Sequence, residues 1–431
     1  FGSSIFNCLI MCTFGRFLGV LCIVWTGALR SELRGPLSRR RNSIQVDGRT
    51  QMQNHGDSYY VVSVSIGGQL VDALLDFGSI ETAVFSTTCG DWCGQRTLLY
   101  DPRISKTRLN GTAKMVHFHG TAEMRTQLFY DSVSVGEWQM SNQSMWEVLE
   151  TSPFLKNLDF GAILGVARWF LDTPMMEYGQ KTEAGFTSLL WGMHVDSYGV
   201  CLGAVPGSSG YITFSDDSKV RAPWAFSTVP IFQGVPWWSA KLEDVRIGTK
   251  VVACSRDENC AAIFDSGTTL LAMPTRVKNK IAKFLSHVQC YDIETAPALA
   301  FTLGGHRMSL PAELFMGEVF GELREDLQPH FSVEGSDCQP LLMSYDEVTF
   351  VGDMFVLGMP FFRKYYTMFQ QEPQGVHVSV ADHHCLPTDT GLDARFATPK
   401  LLMRIDASKL RGPHWLRRGA PNVSEPVREH L

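Results

Sequence analysis

The feature that most constrains this fold is an acidic turn that occurs twice, each time directly after a short apolar strand. Residues 71–75 lead into Asp76-Phe77-Gly78-Ser79, and residues 261–264 lead into Asp265-Ser266-Gly267-Thr268. An apolar pair followed by glycine comes later in each half, at residues 163–165 and 356–358. Such self-similarity indicates an internal repeat. Two similar halves can place one carboxylate each face to face across a pseudo-twofold axis.

The composition favours a large, mainly β protein with two lobes. The chain has 431 residues, of which 45% are apolar and 19% charged, so it has ample material for a large core. Runs rich in Val, Ile, Phe and Tyr recur between Gly- and Pro-containing turns, whereas stretches of helical periodicity are few. The net charge of -6 gives no strong positive field, so nucleic acid is not an expected partner.

The N-terminal region predicts entry into the secretory pathway. Residues 1–28 are mostly apolar, and Arg16 precedes their uninterrupted apolar run. This pattern predicts a cleaved signal peptide. A signal anchor, through which the chain could contact a membrane, is the alternative, because the stretch approaches the ~20 residues of a membrane span. Residues 29–57 are polar and basic and are predicted to be a propeptide or linker.

Cysteine usage agrees with that compartment. Three of the eleven cysteines lie in residues 1–28, and the remaining eight predict four disulfides. His117 with His119, and the cluster at residues 382–385, lack a full set of metal ligands. We therefore expect neither a metal nor a cofactor.

The paired acidic turns indicate acid–base chemistry. A single Asp-x-Gly-Ser turn is most simply an ordinary β-turn, since Asp, Gly and Ser favour turns through local hydrogen bonds. Two such turns at matched positions favour a catalytic pair. Two carboxylates held close together cannot both ionise, so one keeps a proton and acts as the acid while the other acts as the base on a shared water. Peptide hydrolysis then needs neither a metal nor a covalent intermediate.

Residues 58–385 resemble the pepsin-like aspartic proteases of eukaryotes, the group of pepsin, cathepsin D, plasmepsins and memapsins, in which the shared proton is best known. The motifs that carry the resemblance are the second acidic turn within residues 263–271, the run at residues 356–369 and its counterpart at residues 160–167. The resemblance implies a bilobal, mainly β fold with pseudo-twofold related lobes and an active-site cleft between them. The N-terminal lobe, with a flap, would cover residues 58–222, and the C-terminal lobe residues 223–385.

The resemblance also implies roles for individual residues. Asp76 and Asp265 correspond to the catalytic pair. The residues that support them are Gly78, Ser79, Ser266, Gly267 and Thr268. The flap, a hairpin that closes over bound peptide, would carry His119, Gly120 and Thr121. The implied disulfides join Cys89 to Cys93, Cys254 to Cys260, Cys290 to Cys338 and, as in memapsin-type relatives, Cys201 to Cys385.

The sequence departs from the family pattern at three positions. Phe77 replaces the Thr of Asp-Thr-Gly, whose hydroxyl reaches the backbone of the opposite lobe, while Ser266 keeps the other half of that paired grip. His119 and Ala83 replace the flap tyrosine and the tryptophan that bonds it, which leaves no orphaned buried donor. Two interpretations follow: an active endopeptidase, or a catalytically impaired peptide-binding protein on the same fold. A structural β-protein without a ligand leaves the matched turns unexplained.

The last part of the chain predicts a basic extension. Residues 386–431 carry eight basic against five acidic side chains and no apolar span, so we expect disorder, with a targeting tail or membrane-surface contact as the alternative. The expected substrate is an extended peptide or protein segment, and the expected state is a monomer. The expected location is the secretory pathway, either secreted or in an acidic endomembrane compartment.

Overall fold

The computed structural model describes most of the chain between residues 44 and 413. The described residues are 44–90, 93, 99–119, 122–151, 159–168, 176–177, 180–181, 187–233, 235, 237–256, 258–325, 327–331, 333, 338–349, 351–394 and 402–413. The predicted signal segment, the flap residues Gly120 and Thr121, and residues 414–431 lie outside them. The backbone of His119 is described, but its side chain is not.

The described residues form a mainly β fold, as the sequence predicts. In chain order their strands are β1 (Arg49–His55), β2 (Tyr59–Ile66), β3 (Gln69–Asp76), β4 (Ala83–Phe85), β5 (Leu109–His119), β6 (Ala122–Val135), β7 (Trp138–Thr151), β8 (Ala162–Gly165), β9 (Met176–Glu177), β10 (Gln180–Lys181), β11 (Ser197–Cys201), β12 (Gly210–Phe214), β13 (Ser227–Val229), β14 (Ser239–Ile247), β15 (Lys250–Ala253), β16 (Cys260–Phe264), β17 (Leu271–Met273), β18 (Leu299–Leu303), β19 (His306–Leu310), β20 (Met316–Phe320), β21 (Gln339–Pro340), β22 (Leu342–Ser344), β23 (Val348–Thr349), β24 (Gly352–Leu357), β25 (Tyr365–Gln370), β26 (Gly375–Val380) and β27 (Met403–Asp406).

Helices are short. They are α1 (Leu189–Gly192), α2 (Ser218–Arg221), α3 (Thr275–Leu285) and α4 (Met359–Lys364), with single 3-10 turns at Pro223–Ala225, Ala312–Leu314 and Ala407–Lys409 and a longer one at Cys290–Thr295. Helix α3 buries Val277, Ile281 and Leu285, which the four-residue spacing places on one face. Within the described part of the chain, no helix combines the length and the apolar character that a membrane crossing requires.

Most strands belong to two large sheets. The first has the order β13-β26-β25-β11-β12-β1-β2-β3-β8-β4-β7-β6-β5, and the second β19-β18-β14-β16-β24-β17-β22, with β15 and β23 at its sides. Strands β9 and β10 form a separate pair, and β21, β20 and β27 form a small third sheet. Because the first sheet includes strands from early and late in the sequence, it joins the two halves of the chain.

The internal repeat is present in the strand pairing. Strand β3 runs parallel to β8, with Asp76 opposite Gly165, and β16 runs parallel to β24, with Phe264 opposite Leu357. Strand β8 then pairs antiparallel with β4, and β24 pairs antiparallel with β17. Strands β4 and β17 in turn run parallel to β7 and β22. Each half therefore places its aspartate on the same arrangement of four strands.

Strand β1 lies in the segment that we predicted to be a propeptide or linker. It pairs with β12 through Arg49–Met52 and with β2 through Gln53–His55. Met52 is fully buried, and its neighbours in sequence are polar. A buried apolar residue between polar ones is typical of a half-buried strand. The sheet therefore begins earlier than the predicted lobe boundary at residue 58.

The expectation of a disordered C-terminal extension is wrong for residues 402–413. Strand β27 adds in parallel to β20, and Met403 and Ile405 on it are buried. Met403 and Ile405 form a period-two apolar pattern, which predicts a strand although the net charge of the tail favours disorder.

Four disulfides cross-link the described residues. They join Cys89 to Cys93, Cys201 to Cys385, Cys254 to Cys260 and Cys290 to Cys338, with Cα–Cα separations of 5.8, 5.5, 5.7 and 5.2 Å. These separations lie in the normal range for disulfides. The pairs are the four that the resemblance implies.

Candidate active site

Both aspartates are positioned by buried strands. Asp76 is the last residue of β3, and Asp265 follows β16, all of whose residues are buried. The carbonyl oxygen of Asp76 accepts a hydrogen bond from Val166 at 2.9 Å, and the amide of Asp265 donates to Leu357 at 3.1 Å. The side chains of both aspartates are buried, at 3% and 1% exposed. The repeat thus holds two carboxyl groups at equivalent strand ends.

The glycine of each apolar pair is required by close packing. A Cβ atom on Gly165 would collide with the backbone of Ile80 and Glu81, and one on Gly358 would collide with the backbone of Thr268 and Leu270. The chain just after each acidic turn therefore passes directly over a glycine. This explains why each turn has an apolar-apolar-glycine partner downstream.

Equivalent donors hold each carboxylate. The amide of Gly78 donates to Oδ1 of Asp76 at 2.8 Å, and Ser79 Oγ donates to Oδ2 at 2.9 Å. In the second half, the amide of Gly267 donates to Oδ1 of Asp265 at 2.9 Å, and Thr268 Oγ1 donates to Oδ2 at 2.6 Å. Hydrogen bonds to charged acceptors are stronger than neutral ones and fix the plane of each carboxyl group.

The two carboxylates meet at Gly267. A Cβ atom added to this glycine would lie 2.5 Å from Oδ1 of Asp76 and 3.1 Å from Oδ1 of Asp265. Both inner oxygens therefore approach the same point of the backbone, and any larger residue there would push into the pair. The structure brings together the two aspartates and the five supporting residues of the two turns that the sequence singled out.

Phe77 lies in an apolar cluster between the two halves. Its side chain is fully buried, and its ring centroid is 5.0 Å from Phe369 and 5.6 Å from both Tyr198 and Phe362. Ring pairs at these separations add stability beyond the burial of their area. By contrast, Ser266 Oγ donates across the halves to the carbonyl oxygen of Leu75 at 3.0 Å. One half therefore grips its partner through packing and the other through a hydrogen bond.

A buried hydrogen-bond chain borders this cluster. Trp238 Nε1 donates to Tyr198 Oη at 2.7 Å, and Tyr198 Oη donates to the carbonyl oxygen of Val166 at 2.6 Å. Burial raises the pKa of Tyr198 well above its usual value, so the phenol stays protonated and keeps its donor. The amide of Val166 also donates to the carbonyl oxygen of Asp76, so these hydrogen bonds connect Trp238 and Tyr198 to the first acidic turn.

The predicted flap is a hairpin of β5 and β6. Its described pairing extends to His119 opposite Ala122, and the predicted tip residues Gly120 and Thr121 lie outside the described residues. Near the tip end of this hairpin, His117 Nδ1 lies 3.1 Å from Oε2 of Glu81, and both side chains are buried. The sequence predicts His117 to lie in the flap segment, and it does not single out Glu81. The signal in the sequence was an acidic residue between the first turn and an apolar strand.

No group of three or more His, Cys, Asp or Glu side chains converges as a metal site within the described residues. Cys385, in the cluster at residues 382–385, is joined to Cys201.

Comparison with known proteins gives the same assignment for most of the chain. The sequence model of the family described as eukaryotic aspartyl protease matches residues 59–381. Pepsin A of Gallus gallus is 27% identical over 343 residues, which cover 76% of this chain and 86% of that relative. Pepsin II-2/3 of Oryctolagus cuniculus is 26% identical over 338 residues, which cover 74% and 80%, and pepsin A of Bos taurus is 25% identical over 340 residues, which cover 74% and 83%.

Proposed function

Since the chain belongs to the eukaryotic aspartyl protease family and has the bilobal, mainly β pepsin-like fold, we propose that it is an aspartic endopeptidase. The observation that carries the proposal is the meeting of Asp76 and Asp265 at Gly267, with each outer oxygen held by a hydroxyl. Two acids in this arrangement share one proton, and each is oriented for a separate role. The 26% level of identity to pepsins supports the reaction class.

In the proposed mechanism the dyad moves protons and forms no bond to the substrate. The ionised carboxylate takes a proton from water as the water oxygen attacks the peptide carbonyl, and the protonated carboxyl gives its proton to the carbonyl oxygen. The tetrahedral diol then collapses. One carboxyl protonates the departing nitrogen as the C–N bond breaks, and the other carboxylate removes the proton of a hydroxyl. The hydroxyls of Ser79 and Thr268 hold the orientation of the two carboxyl groups throughout these transfers.

We further propose a substrate and a location. An extended peptide would lie in the cleft beneath the β5–β6 hairpin, which excludes water when it closes. The four disulfides favour an oxidising compartment, so we propose a secreted or acidic endomembrane protein with residues 1–28 as its signal segment. The lobes would meet near residue 222, and the chain would act as a monomer.

A second candidate function is peptide binding without catalysis. The observation that favours it is Phe77, which supplies no hydroxyl to the cross-half grip. Misplacement of a catalytic group by about one ångström can lower the rate ~100-fold. The ring is fully buried among aromatic neighbours, so the dyad is supported by packing where the hydrogen bond is missing.

A peptide library separates the two functions. We would incubate the purified protein with the library at acid pH, with and without a statine-type inhibitor, beside an Asp265→Asn control. An endopeptidase cleaves internal bonds, is blocked by the inhibitor and loses cleavage in the control. Inhibitor binding without cleavage supports the peptide-binding protein, and cleavage that survives in Asp265→Asn rejects the proposed dyad.

A further inference from the structure

The C-terminal segment, residues 403–413, is built into the second half of the molecule. Strand β27 pairs in parallel with β20, from Met403 opposite Gly317 to Asp406 opposite Phe320. The apolar side chains of the segment are buried in one cluster with residues that flank the second acidic turn: Met403, Ile405, Ala407 and Leu410 pack with Ile263 and Leu270. Burial of these apolar side chains therefore holds the segment close to the turn that carries Asp265.

Beyond β27 the segment reaches the other half. Lys409 Nζ lies 3.0 Å from Oδ2 of Asp159, a residue just before β8. The segment thus contacts both halves of the repeat, as any occupant of the space between them must.

Its next residues bind the second acidic turn through the backbone. The amide of Arg411 donates to Thr269 Oγ1 at 2.9 Å, and the amide of Thr269 donates to the carbonyl oxygen of Arg411 at 3.1 Å. Leu410, just before, has the extended backbone angles φ -56° and ψ 140°. A cleft can bind an extended peptide whatever its sequence when it bonds the peptide's backbone, and here the amide and the hydroxyl of Thr269 bond the carbonyl oxygen and the amide of Arg411. Thr269 directly follows Thr268, which holds the carboxylate of Asp265.

Arg411 brings a positive charge to the second acidic turn, since its backbone is bonded to Thr269. It is buried, at 8% exposed, with its guanidinium 5.3 Å from the ring centroid of Phe160. Burial lowers the pKa of Arg411 to about 10, while the negative charge of Asp76, and to a smaller extent that of Asp265, acts to raise it. The guanidinium therefore stays charged at neutral and acid pH, and the charges of both aspartates act on it.

We propose that residues 403–413 are an intramolecular peptide ligand of the cleft, with Arg411 as the countercharge of the dyad, so that the chain carries its own inhibitor. The proposal rests on the proposed function and specifies its regulation. The bound segment excludes a substrate from the amide and the hydroxyl of Thr269, and a fixed cation competes with the shared proton for the carboxylates. Activity then requires displacement or removal of the segment.

Binding of a statine-type peptide inhibitor, measured by calorimetry, tests the proposal without requiring catalysis. Arg411→Ala should bind the inhibitor at least ~10-fold more tightly than the parent chain, because the competing ligand is weakened. Lys409→Ala, which removes a half-exposed ion pair, should bind it ~3-fold more tightly. The matched control is Arg404→Ala in the same segment, whose side chain is exposed beside Glu318; its affinity should equal that of the parent. Unchanged affinity in a folded Arg411→Ala chain, or no inhibitor binding by any form, would overturn the proposal.

A second measurement uses the unmodified chain and does not depend on whether a variant folds. Amide hydrogen exchange of residues 403–411 should accelerate when the inhibitor saturates the cleft, because the segment is displaced. Protection that does not change at saturation contradicts an occupant of the cleft. Tighter inhibitor binding by Arg411→Ala together with no cleavage by any form would reject the proposed endopeptidase and keep the ligand. Cleavage by the parent chain together with unchanged exchange would reject the intramolecular ligand and keep the proposed endopeptidase.

Discussion

The two acidic turns hold their carboxyl groups through equivalent hydrogen bonds and differ in how they join the opposite half. In each, a glycine amide and a hydroxyl hold the carboxylate, and a downstream glycine lets the chain pass closely over it. The residue after the aspartate is Phe77 in one turn and Ser266 in the other, a buried ring against a hydrogen-bonding hydroxyl. The comparison teaches that carboxylate orientation is local to each turn, whereas coupling between halves can use packing or hydrogen bonding.

The turns differ again where the chain passes over the downstream glycine. The first half has Glu81 there, paired with His117 in a buried site, and the second half has Leu270 in an apolar cluster. Removing one partner of such a buried pair leaves the other without its contact and destabilises the fold. The first half therefore ties its β5–β6 hairpin to the segment after the first acidic turn through this contact, and the second half has a buried leucine at the equivalent position.

The largest effect should come from removing either acid. Asp76→Asn and Asp265→Asn should each lower peptide cleavage by ~10⁴-fold, because each removes a proton site that the shared-proton mechanism uses. Steady-state cleavage of a reporter peptide at acid pH measures the loss, and a thermal melt checks that each variant is folded. Equal loss in both variants supports equivalent turns; substantial activity in either one would refute the dyad.

Breaking the buried pair beneath the flap should give the next largest effect. Glu81→Leu introduces the residue that the second half has at this position, Leu270. It leaves His117 buried without its carboxylate partner, so we expect a loss of ~3 to 5 kcal/mol in the free energy of unfolding. The double variant Glu81→Leu with His117→Phe should recover most of this stability, since an apolar pair of similar volume replaces the buried polar pair. Denaturant unfolding of the single and double variants measures the coupling. If the losses in unfolding free energy from the separate substitutions simply add in the double variant, the pair does not act as a unit.

Phe77→Thr restores the hydroxyl of the family pattern and removes a packed ring. Phe→Ala changes in cores cost ~3 to 5 kcal/mol, so the swap should lower the melting temperature even if it improves the geometry of the dyad. An active parent should therefore lose stability with a modest change in rate. A parent that is inert and gains cleavage from Phe77→Thr is instead the impaired binding protein. An active parent whose melting temperature does not change would contradict the packing role of the ring.

Much of this molecule follows from its sequence. The paired turns, their downstream glycines and the mainly β fold were predictable because each depends on short motifs and period-two patterns. Strand β1 and the segment 403–413 were missed because their apolar residues are few and lie among charges, so composition outweighed alternation. The contact of Glu81 with His117, and that of Arg411 with Thr269, could not be predicted, because both join residues far apart in the chain that only the tertiary fold brings together.

The smallest and sharpest test concerns Ser266, the hydroxyl that remains of the cross-half grip. Ser266→Ala removes its bond to the carbonyl oxygen of Leu75, which should cost ~1 kcal/mol of stability. The effect on rate depends on what else couples the halves. In the natural chain Phe77 offers packing but no hydrogen bond, so the loss should loosen the dyad and lower the rate ~10-fold, less than the ~100-fold of a full ångström displacement. In the Phe77→Thr background the restored hydroxyl can hold the opposite side, so Ser266→Ala should there cost less than ~3-fold. Cleavage rates of the four chains close a double-mutant cycle, with Ser86→Ala, a buried hydroxyl away from the dyad, as the control. If Ser266→Ala lowers the rate equally in both backgrounds, positions 77 and 266 act independently and do not couple the two halves as a pair.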